Sequence, residues 1–447
     1  MKGVMRQPAF VIFCLGFCFF LAFPKPAHAA EKTKDAPAID PEASPPLRHR
    51  RSPAFSWGAK MNLEVRLRDN RDLRTRRDDR DTRTTGELTF AGLYLPQIKA
   101  LPPGLAFFGE FGLTRVIRHR EGRGKTSDET RLSFRKGHVT WPRFLHPALR
   151  LRVGRQRFKD RREWVYDDTL DAVRIFYKKD GLRLQLSYSS NVFDPENTAD
   201  RIKNLMFFGL YRIWKQDQTA FYFINRRGKF NEADPDFDLN FIGISLHGKS
   251  LKRQRYWLES ALVTGDEKQR DVLGYGFDLG WISRLKHPYK PALTLAYAFG
   301  SGDANPDDAR DRSFRQTGLQ DNDAKLRGVT KIKQYGELFE PELSNLMVAT
   351  LGFGFRPAKK ASIDIVYHRY TQVWAYAGRE NVLRDAGIKE DPNGKSRNLG
   401  DEIDLVFAWK TNARLRFEWL AAFFLPGSAF DNTDPAFLGK LKISFIL

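Results

Sequence analysis

From about residue 58 to the C-terminus, apolar and polar residues trade places at every second position. Leu273, Tyr275, Phe277, Leu279 and Trp281 fall in one phase; Gly274, Gly276, Asp278 and Gly280 fall in the other. Leu293, Leu295, Tyr297 and Phe299 oppose Ala292, Thr294, Ala296 and Ala298. Ile403, Leu405, Phe407 and Trp409 oppose Glu402, Asp404 and Lys410. A period of two reads as a β-strand with two chemically different faces. Eighteen such stretches are expected, near 58–69, 86–95, 104–117, 130–141, 148–158, 171–179, 181–189, 205–213, 218–226, 236–247, 255–264, 272–284, 291–300, 346–356, 361–370, 401–410, 413–424 and 438–447.

The connections sharpen the picture. Long ones, about 70–85, 118–129, 159–170, 190–204, 227–235, 265–271, 301–345, 371–400 and 425–437, alternate with short ones such as Pro142 to Pro147, Asp180, Pro357 to Lys360 and Thr411-Asn412. A soluble sandwich predicts no such asymmetry, whereas a membrane barrel with long outer loops and tight inner turns does. Aromatics are 13% of the chain, yet no apolar run beyond the N-terminal region approaches the ~20 residues of a membrane helix. The expected fold is all-β: a transmembrane antiparallel β-barrel of about eighteen strands over 56–447. The last strand should turn Leu441, Ile443, Phe445 and Leu447 outward.

The N-terminus reads as an export signal over 1–29: Lys2 and Arg6, an apolar run from Phe10 to Phe23, then Ala27-His28-Ala29. Residues 30–55 lack periodicity and read as a disordered arm. Both cysteines, Cys14 and Cys18, fall in the signal, which leaves no disulfide, thiolate ligand or thiol nucleophile. The signal holds three basic residues (Lys2, Arg6, Lys25) and no acidic one, so the formal charge of +21 leaves +18 afterwards. That charge implies a polyanionic partner, either acidic polysaccharide or the anionic headgroups of lipid and lipopolysaccharide; export argues against nucleic acid.

Arginine marks the polar phases. Glu64, Arg66 and Arg68 oppose Leu63, Val65 and Leu67. Arg131, Ser133 and Arg135 oppose Leu132 and Phe134, and Arg183, Gln185 and Ser187 oppose Leu182, Leu184 and Leu186. Arg414, Arg416 and Glu418 oppose Leu415, Phe417 and Trp419. If the apolar phase meets lipid, these guanidiniums line a lumen, favour anions, and grip carboxylates in two-bond forks. Interleaved carboxylates weaken that grip, so a polymer keeps moving. Arg74, Arg76, Arg77, Arg80 and Arg83 in the first long loop read instead as solvated or lipopolysaccharide-contacting charge. Arg155 and Arg157 share the phase of Leu151 and Val153, so either Gly154 marks a bulge that resets the phase or they sit at the loop mouth.

No hydrolase, zinc-protease or phosphate-loop motif is present, and no Ser/His pair stands out; no enzyme, cofactor or metal site is expected. Asp307, Asp308 and Asp311 read as a solvated acidic cluster rather than a calcium loop.

Several segments together resemble the alginate-export outer-membrane porins. They are Val153-Gly154-Arg155-Gln156-Arg157 with Tyr166-Asp167-Asp168-Thr169-Leu170-Asp171-Ala172; Phe314-Arg315-Gln316-Thr317-Gly318-Leu319-Gln320-Asp321-Asn322; Tyr335-Gly336-Glu337 with Glu342-Leu343-Ser344-Asn345-Leu346; Val366-Tyr367-His368; and Gly400-Asp401-Glu402-Ile403-Asp404-Leu405-Val406. The resemblance implies an eighteen-stranded barrel that passes anionic uronate polymer through a basic lumen. It implies lumen positions for Arg66, Arg135, Arg157, Lys331 and Arg416, and a lumen carboxylate at Asp167. It also implies a passive, monomeric pore served by a periplasmic export or synthesis complex. Three departures stand out: a mostly lysine stretch, Lys325, Arg327, Lys331 and Lys333, that falls in a gap of the resemblance; Lys442 where an acid is expected; and a turn at Thr411-Asn412 too short to plug the barrel. The alternatives are an uptake porin for small acidic sugars or other anions, and, from another class, a barrel enzyme or adhesin.

Overall fold

The computed structural model describes residues 46–47, 49–52, 54–74, 79–98, 100–121, 124–190, 202–214, 216–228, 237–267, 270–378 and 386–447. The expected signal, most of the expected arm, and Arg76 and Arg77 lie outside these residues. Among the described residues, eighteen long strands each pair antiparallel with the next. They are β1 Phe55–Asp69, β2 Asp81–Tyr94, β3 Ala106–Arg120, β4 Lys125–Pro142, β5 Leu149–Lys159 and β6 Asp167–Lys179. Next come β7 Leu182–Ser190, β8 Lys203–Trp214, β9 Asp217–Gly228, β10 Phe237–Gly248, β11 Gln254–Glu267 and β12 Arg270–Arg284. The last six are β13 Ala292–Gly300, β14 Leu346–Phe355, β15 Ala361–Gln372, β16 Asn398–Lys410, β17 Leu415–Pro426 and β18 Ala436–Ile446. Each corresponds to one expected stretch. β18 pairs back onto β1, from Lys60 opposite Ile446 to Asp69 opposite Phe437, and so closes the sheet. Closure leaves no unpaired edge, the condition for strands in hydrocarbon.

The two phases face as the alternation requires. Met61, Leu63, Val65, Leu273, Tyr275, Leu279, Trp281, Leu293, Leu295, Ile403 and Leu441 are exposed, while Asp278, Thr294, Ala298, Glu402 and Asp404 are buried. An apolar belt turned outward all round, with polar groups packed within, suits a protein whose surrounding solvent is lipid.

Loop and turn ends also separate as expected. At the turn end β6 and β7 meet through Asp180-Gly181, both at positive φ (46° and 85°), the tight hairpin that an Asp-Gly pair favours. At the loop end two expected loops are shorter than the spacing implied. β3 and β4 run on to Arg120 and Lys125, so most of 118–129 is ladder, tied across strands by Arg115–Asp128 (2.6 Å). Likewise β11 reaches Glu267 and β12 starts at Arg270. The end of the arm also has structure: His49–Ser52 is a short strand folded back on β1. Arg414, expected in a strand, is exposed in the turn before β17, where its carbonyl accepts the Ile446 amide (2.9 Å).

Two segments fill the interior. The first is the β5–β6 hairpin. β5 pairs with β4 only as far as Arg155 opposite Gly137, and β6 pairs with β7 only from Ala172. Beyond these points, among the described residues, the hairpin has no ladder pairing with β4 or β7 and leaves the wall; its backbone bonds beyond itself go to the connection 301–345, as from the Asp167 amide to the Leu319 carbonyl (2.6 Å). Gly154 stands at the departure, at φ 121°, with no room for a Cβ: one would lie 2.3 Å from the Gly137 carbonyl oxygen. The β5–β6 register runs through without a shift, so the expected phase-resetting bulge is absent. The phase that meets lipid at Val153 instead meets the lumen after the hairpin turns inward. Its other face packs on the wall: Phe158 carries the Arg174 guanidinium 3.8 Å from its ring centroid, and Tyr166 meets Phe208.

The second segment is the long connection 301–345. It descends inside the barrel to the turn end, where Arg327 donates to the Arg253 carbonyl (3.0 Å), and then climbs back. Its apolar residues Phe314, Leu319, Leu326, Phe339 and Leu343 are buried, so the barrel's hydrophobic core is made by inserted segments against the wall.

Candidate functional site

Between the inserted connection and the wall of β1, β16, β17 and β18 lies a cavity of about 210 Å³. Five cations line it, Lys60, Lys331, Arg416, Lys440 and Lys442, along with four carboxylates, Glu64, Asp323, Glu337 and Glu418. The strands deliver these groups by alternation. Glu64 shares the phase of Lys60 and Asn62, and Lys440, Lys442 and Ser444 alternate with Leu441 and Ile443. The β1–β18 register sets Glu64 opposite Lys442 and Arg66 opposite Lys440.

Nearly every cation here has an acid in reach. Arg66 bonds Glu64 at 2.9 Å, and Lys442 stands 3.7 Å from the same carboxylate. Lys440 meets Glu337 of the inserted connection at 3.2 Å. Arg416 pairs with Glu418 and donates to Thr330 (2.6 Å), whose hydroxyl donates to Glu418 in turn. A second group lies nearer the loop end. Arg157 grips Asp167 through two nitrogens, both at 2.5 Å. Lys331 and Lys159 both meet Glu163, Lys159 at 2.5 Å. Asp321 completes a trio of carboxylates with Glu163 and Asp167, and the two ammonium groups stand among them.

Arg135 and Lys136 show what a bulge does. Phe111 pairs with Phe134 and Glu110 with Lys136, so Arg135 is an extra residue in β4. Two consecutive side chains therefore find inner carboxylates: Arg135 bonds Glu87, and Lys136 lies 3.2 Å from Glu110. Arg68 lies in the inner phase near Arg66 and Arg71, with Glu340 and Asp81 its nearest acids. Arg131 is exposed near the loop end, opposite Thr114. Of the expected first-loop arginines, Arg74 pairs with Glu390 and Arg80 with Asp69 and Glu121, whereas Arg83 lies not in the loop but in β2, exposed, between Arg66 of β1 and Arg118 of β3, because that strand starts at Asp81. The acidic run 307–311 is neutralised by arginine, with Asp308 held by Arg312 (2.8 Å) and Asp311 by Arg315 (2.6 Å).

Lys60, Lys440 and Lys442 were legible from phase alone. A reading weighted toward arginine passes over them, although lysine supplies four of the five cavity cations.

One cavity acid is poised to titrate. Burial pushes Asp323, in the inserted connection, up to about 6, against the opposing pull of Lys333. Because its folded value is raised, the neutral form is favoured below that pH, and the cavity gains one net positive charge as pH falls through it. Anion selectivity, read as the reversal potential in a salt gradient, is expected to rise from well above to well below pH 6. Asp323→Asn should be flat over that interval; an equally steep wild-type-like profile in this variant would assign the effect elsewhere.

Comparison with known proteins places this architecture. Residues 54–443 match the family model described as alginate export. The chain is 22% identical over 381 residues to the alginate production protein AlgE of Pseudomonas aeruginosa, covering 72% of this chain and 76% of that one. It is 29% identical over 146 residues to the AlgE of Azotobacter vinelandii, covering 31% and 29%. In structure it resembles Pseudomonas aeruginosa OccK7 (OpdD), with TM-score 0.58, 13% identity, and 88% and 99% of the two chains covered. It also resembles the outer membrane protein OprD of that organism, with TM-score 0.52, 12% identity, and 88% and 93% covered. With a family model spanning nearly all of the described barrel and a closed eighteen-stranded wall belted in apolar side chains, the chain belongs to the alginate export family of bacterial outer-membrane β-barrels.

Proposed function

We propose that the protein is a passive outer-membrane pore through which an anionic exopolysaccharide, alginate or a similar uronate polymer, leaves the cell. The observation that carries this reading is the interleaving of cations with carboxylates around the inner cavity. An unpaired guanidinium would hold a uronate carboxylate in a tight two-bond fork. A guanidinium already sharing itself with Glu64, Glu418 or Asp167 has donors left over, since it carries five and one carboxylate uses two. A passing carboxylate that takes over these donors replaces the resident one bond for bond, so the exchange costs little. Each sugar is thus recognised and released, as conduction requires. The drive comes from outside the pore, from polymer synthesis and a periplasmic complex, because the chain carries no nucleotide-binding motif.

Purified protein in planar bilayers should show anion-selective conductance blocked by polyuronate. Arg135→Ala and Arg416→Ala should each lower the anion-to-cation permeability ratio severalfold, because each leaves Glu87 or Glu418 uncompensated in a narrow path, an imbalance of roughly 1 kcal/mol even at water-like dielectric. Unchanged selectivity in both variants would take these residues out of the conduction path.

A second reading, an uptake porin for small acidic sugars, draws on the inserted hairpin and connection, which leave a narrow path. The two readings differ in the cell: deletion should trap polymer in the periplasm only for an exporter.

A further inference from the structure

The inner cations are not paired evenly around the barrel. At the turn end, four arginines converge on the inside of β11 to β15. Arg255 begins β11 in the inner phase of Trp257 and Glu259; Arg284 ends β12 in the phase of Asp278 and Ile282; Arg356 follows β14 in the phase of Gly352 and Gly354. Arg327, at the lowest point of the inserted connection, sits among them. Burial holds its guanidinium down to about 10, and the charges of Arg255, Arg284 and Arg356 add to the effect. The charge of Arg161, at the tip of the inserted hairpin, also reaches Arg255.

Among the described residues none of these five forms an ion pair. The nearest acids are Glu259, 2.8 Å from His247, and Asp364, which feels the Arg356 charge without closing an ion pair with it. Two bonds explain how the cluster is held without a counter-ion. Arg356 donates to the Arg327 carbonyl (2.6 Å from Nη2), and Arg327 donates to the Arg253 carbonyl. These fix the geometry, and with one or two acids in range of five guanidiniums most of the positive charge is left without a partner. The Nε groups of Arg255 and Arg327 are buried with no acceptor. The four wall and connection arginines are half-buried, so water and solutes from the turn end reach them. The rim repeats the sign. The neighbouring turns 249–253, 285–291 and 356–360 hold Lys249, Lys252, Arg253, Lys286, Lys290, Arg356, Lys359 and Lys360, and no acidic residue.

Like charges gathered in a concave, half-buried site repel one another and focus a positive potential at its opening. Such an arrangement persists when a ligand of opposite sign supplies the missing partner. The free donors suit several carboxylates spaced along one strand.

We propose that Arg255, Arg284, Arg327 and Arg356 form a capture site at the periplasmic mouth that binds consecutive carboxylates of the uronate polymer before it meets the paired cations above. The proposal rests on the export reading and adds a direction to it: strong unpaired cations at the periplasmic side, weaker paired ones beyond. Polymer end segments are gathered from dilute solution at the mouth and handed to a path that lets them go.

The test uses oriented single channels of the full-length protein, with a short oligouronate added to one chamber at a time. In the wild type, block should set in faster from the turn side than from the loop side. The double variant Arg255→Gln/Arg284→Gln should slow turn-side association about tenfold, within the range that electrostatic steering supplies, and leave loop-side block unchanged. Arg255→Lys/Arg284→Lys keeps the charge and should fall between the two. These two positions are chosen because neither holds the inserted connection; heat-modifiable gel mobility equal to the wild type verifies a folded barrel. If wild-type channels are blocked but the glutamine variant keeps its turn-side association rate, the capture site is overturned, and the cluster is left to an acidic segment of a protein partner. If oligouronate blocks from neither side, the export reading itself fails and takes this proposal with it.

Discussion

Replacing Glu402 with alanine is expected to raise single-channel conductance severalfold and to make the current noisy. Glu402 lies on the inner face of β16, fully buried, and its carboxylate accepts the backbone amides of Leu338 (2.8 Å) and Phe339 (2.9 Å). Its second oxygen also accepts the Tyr370 hydroxyl (3.3 Å). The inserted connection has little ladder: Asp323–Ala324 pairs with Ile332–Lys333, and Arg310–Asp311 pairs with Asp271 and Val272 of β12. Where it has no backbone partner, as at Leu338 and Phe339, its donors depend on side chains from the wall. Alanine strands two buried N–H groups at about 1–3 kcal/mol each, so docking of this stretch weakens by roughly 2–6 kcal/mol. Phe339, stacked on Phe424 with ring centroids 4.9 Å apart, then keeps its aromatic contacts and the bond from the Gly387 amide to its carbonyl (2.7 Å), but loses its own amide's partner. Glu402→Gln keeps one acceptor oxygen and should show a smaller rise. Barrel folding, read as heat-modifiable gel mobility, should survive in both, because the strand ladders are untouched. Conductance and protease sensitivity of residues 301–345 that match the wild type would show that the connection is held in some other way.

Gly154→Val is expected to expel the β5–β6 hairpin from the lumen. At φ 121° a β-branched residue is strained, and a Cβ would lie 2.3 Å from the Gly137 carbonyl oxygen and 2.9 Å from the His138 Cα, both backbone atoms that cannot swing aside. Strain and clash together cost about 3 kcal/mol or more, comparable to the whole of a local docking energy. The consequence reaches Arg157, Asp167 and Glu163, because all three stand in the lumen only through this departure from the wall. Trypsin should cut the variant after Arg155, Arg157 or Lys159, sites protected in the folded wild type, and anion selectivity should fall with the loss of the Arg157–Asp167 and Lys331–Glu163 pairs. A digestion pattern identical to the wild type would sink this account of Gly154.

The two variants mark the limit of what alternation can reveal. Arg66 and Arg416 were legible because they lie in strands that stay in the wall, where phase alone decides the side. Arg157 was not: its phase points to lipid, and only the departure at Gly154 turns that face toward water. Arg135 and Lys136 fail a strict alternation for a different reason, since a single extra residue in β4 sends two neighbours inward. Lys331 and Arg327 lie on a connection whose path no periodicity describes. Their partners, Glu163 on one side and the Arg253 carbonyl on the other, are 168 and 74 residues away in the chain. Arg414 shows the opposite error, alternation extended two residues too far into a turn.

By itself the sequence determined the wall: how many strands, which face meets lipid, and which end carries loops. Those properties follow from short-range rules, a two-residue pleat and a solvent that tolerates no unpaired backbone, and every segment obeys them alone. What fills the wall was decided only in three dimensions. The inward hairpin, the connection that runs down the lumen, and the division of cations into paired and unpaired groups depend on contacts between distant segments. Each such contact is set by which buried donor finds an acceptor across the barrel.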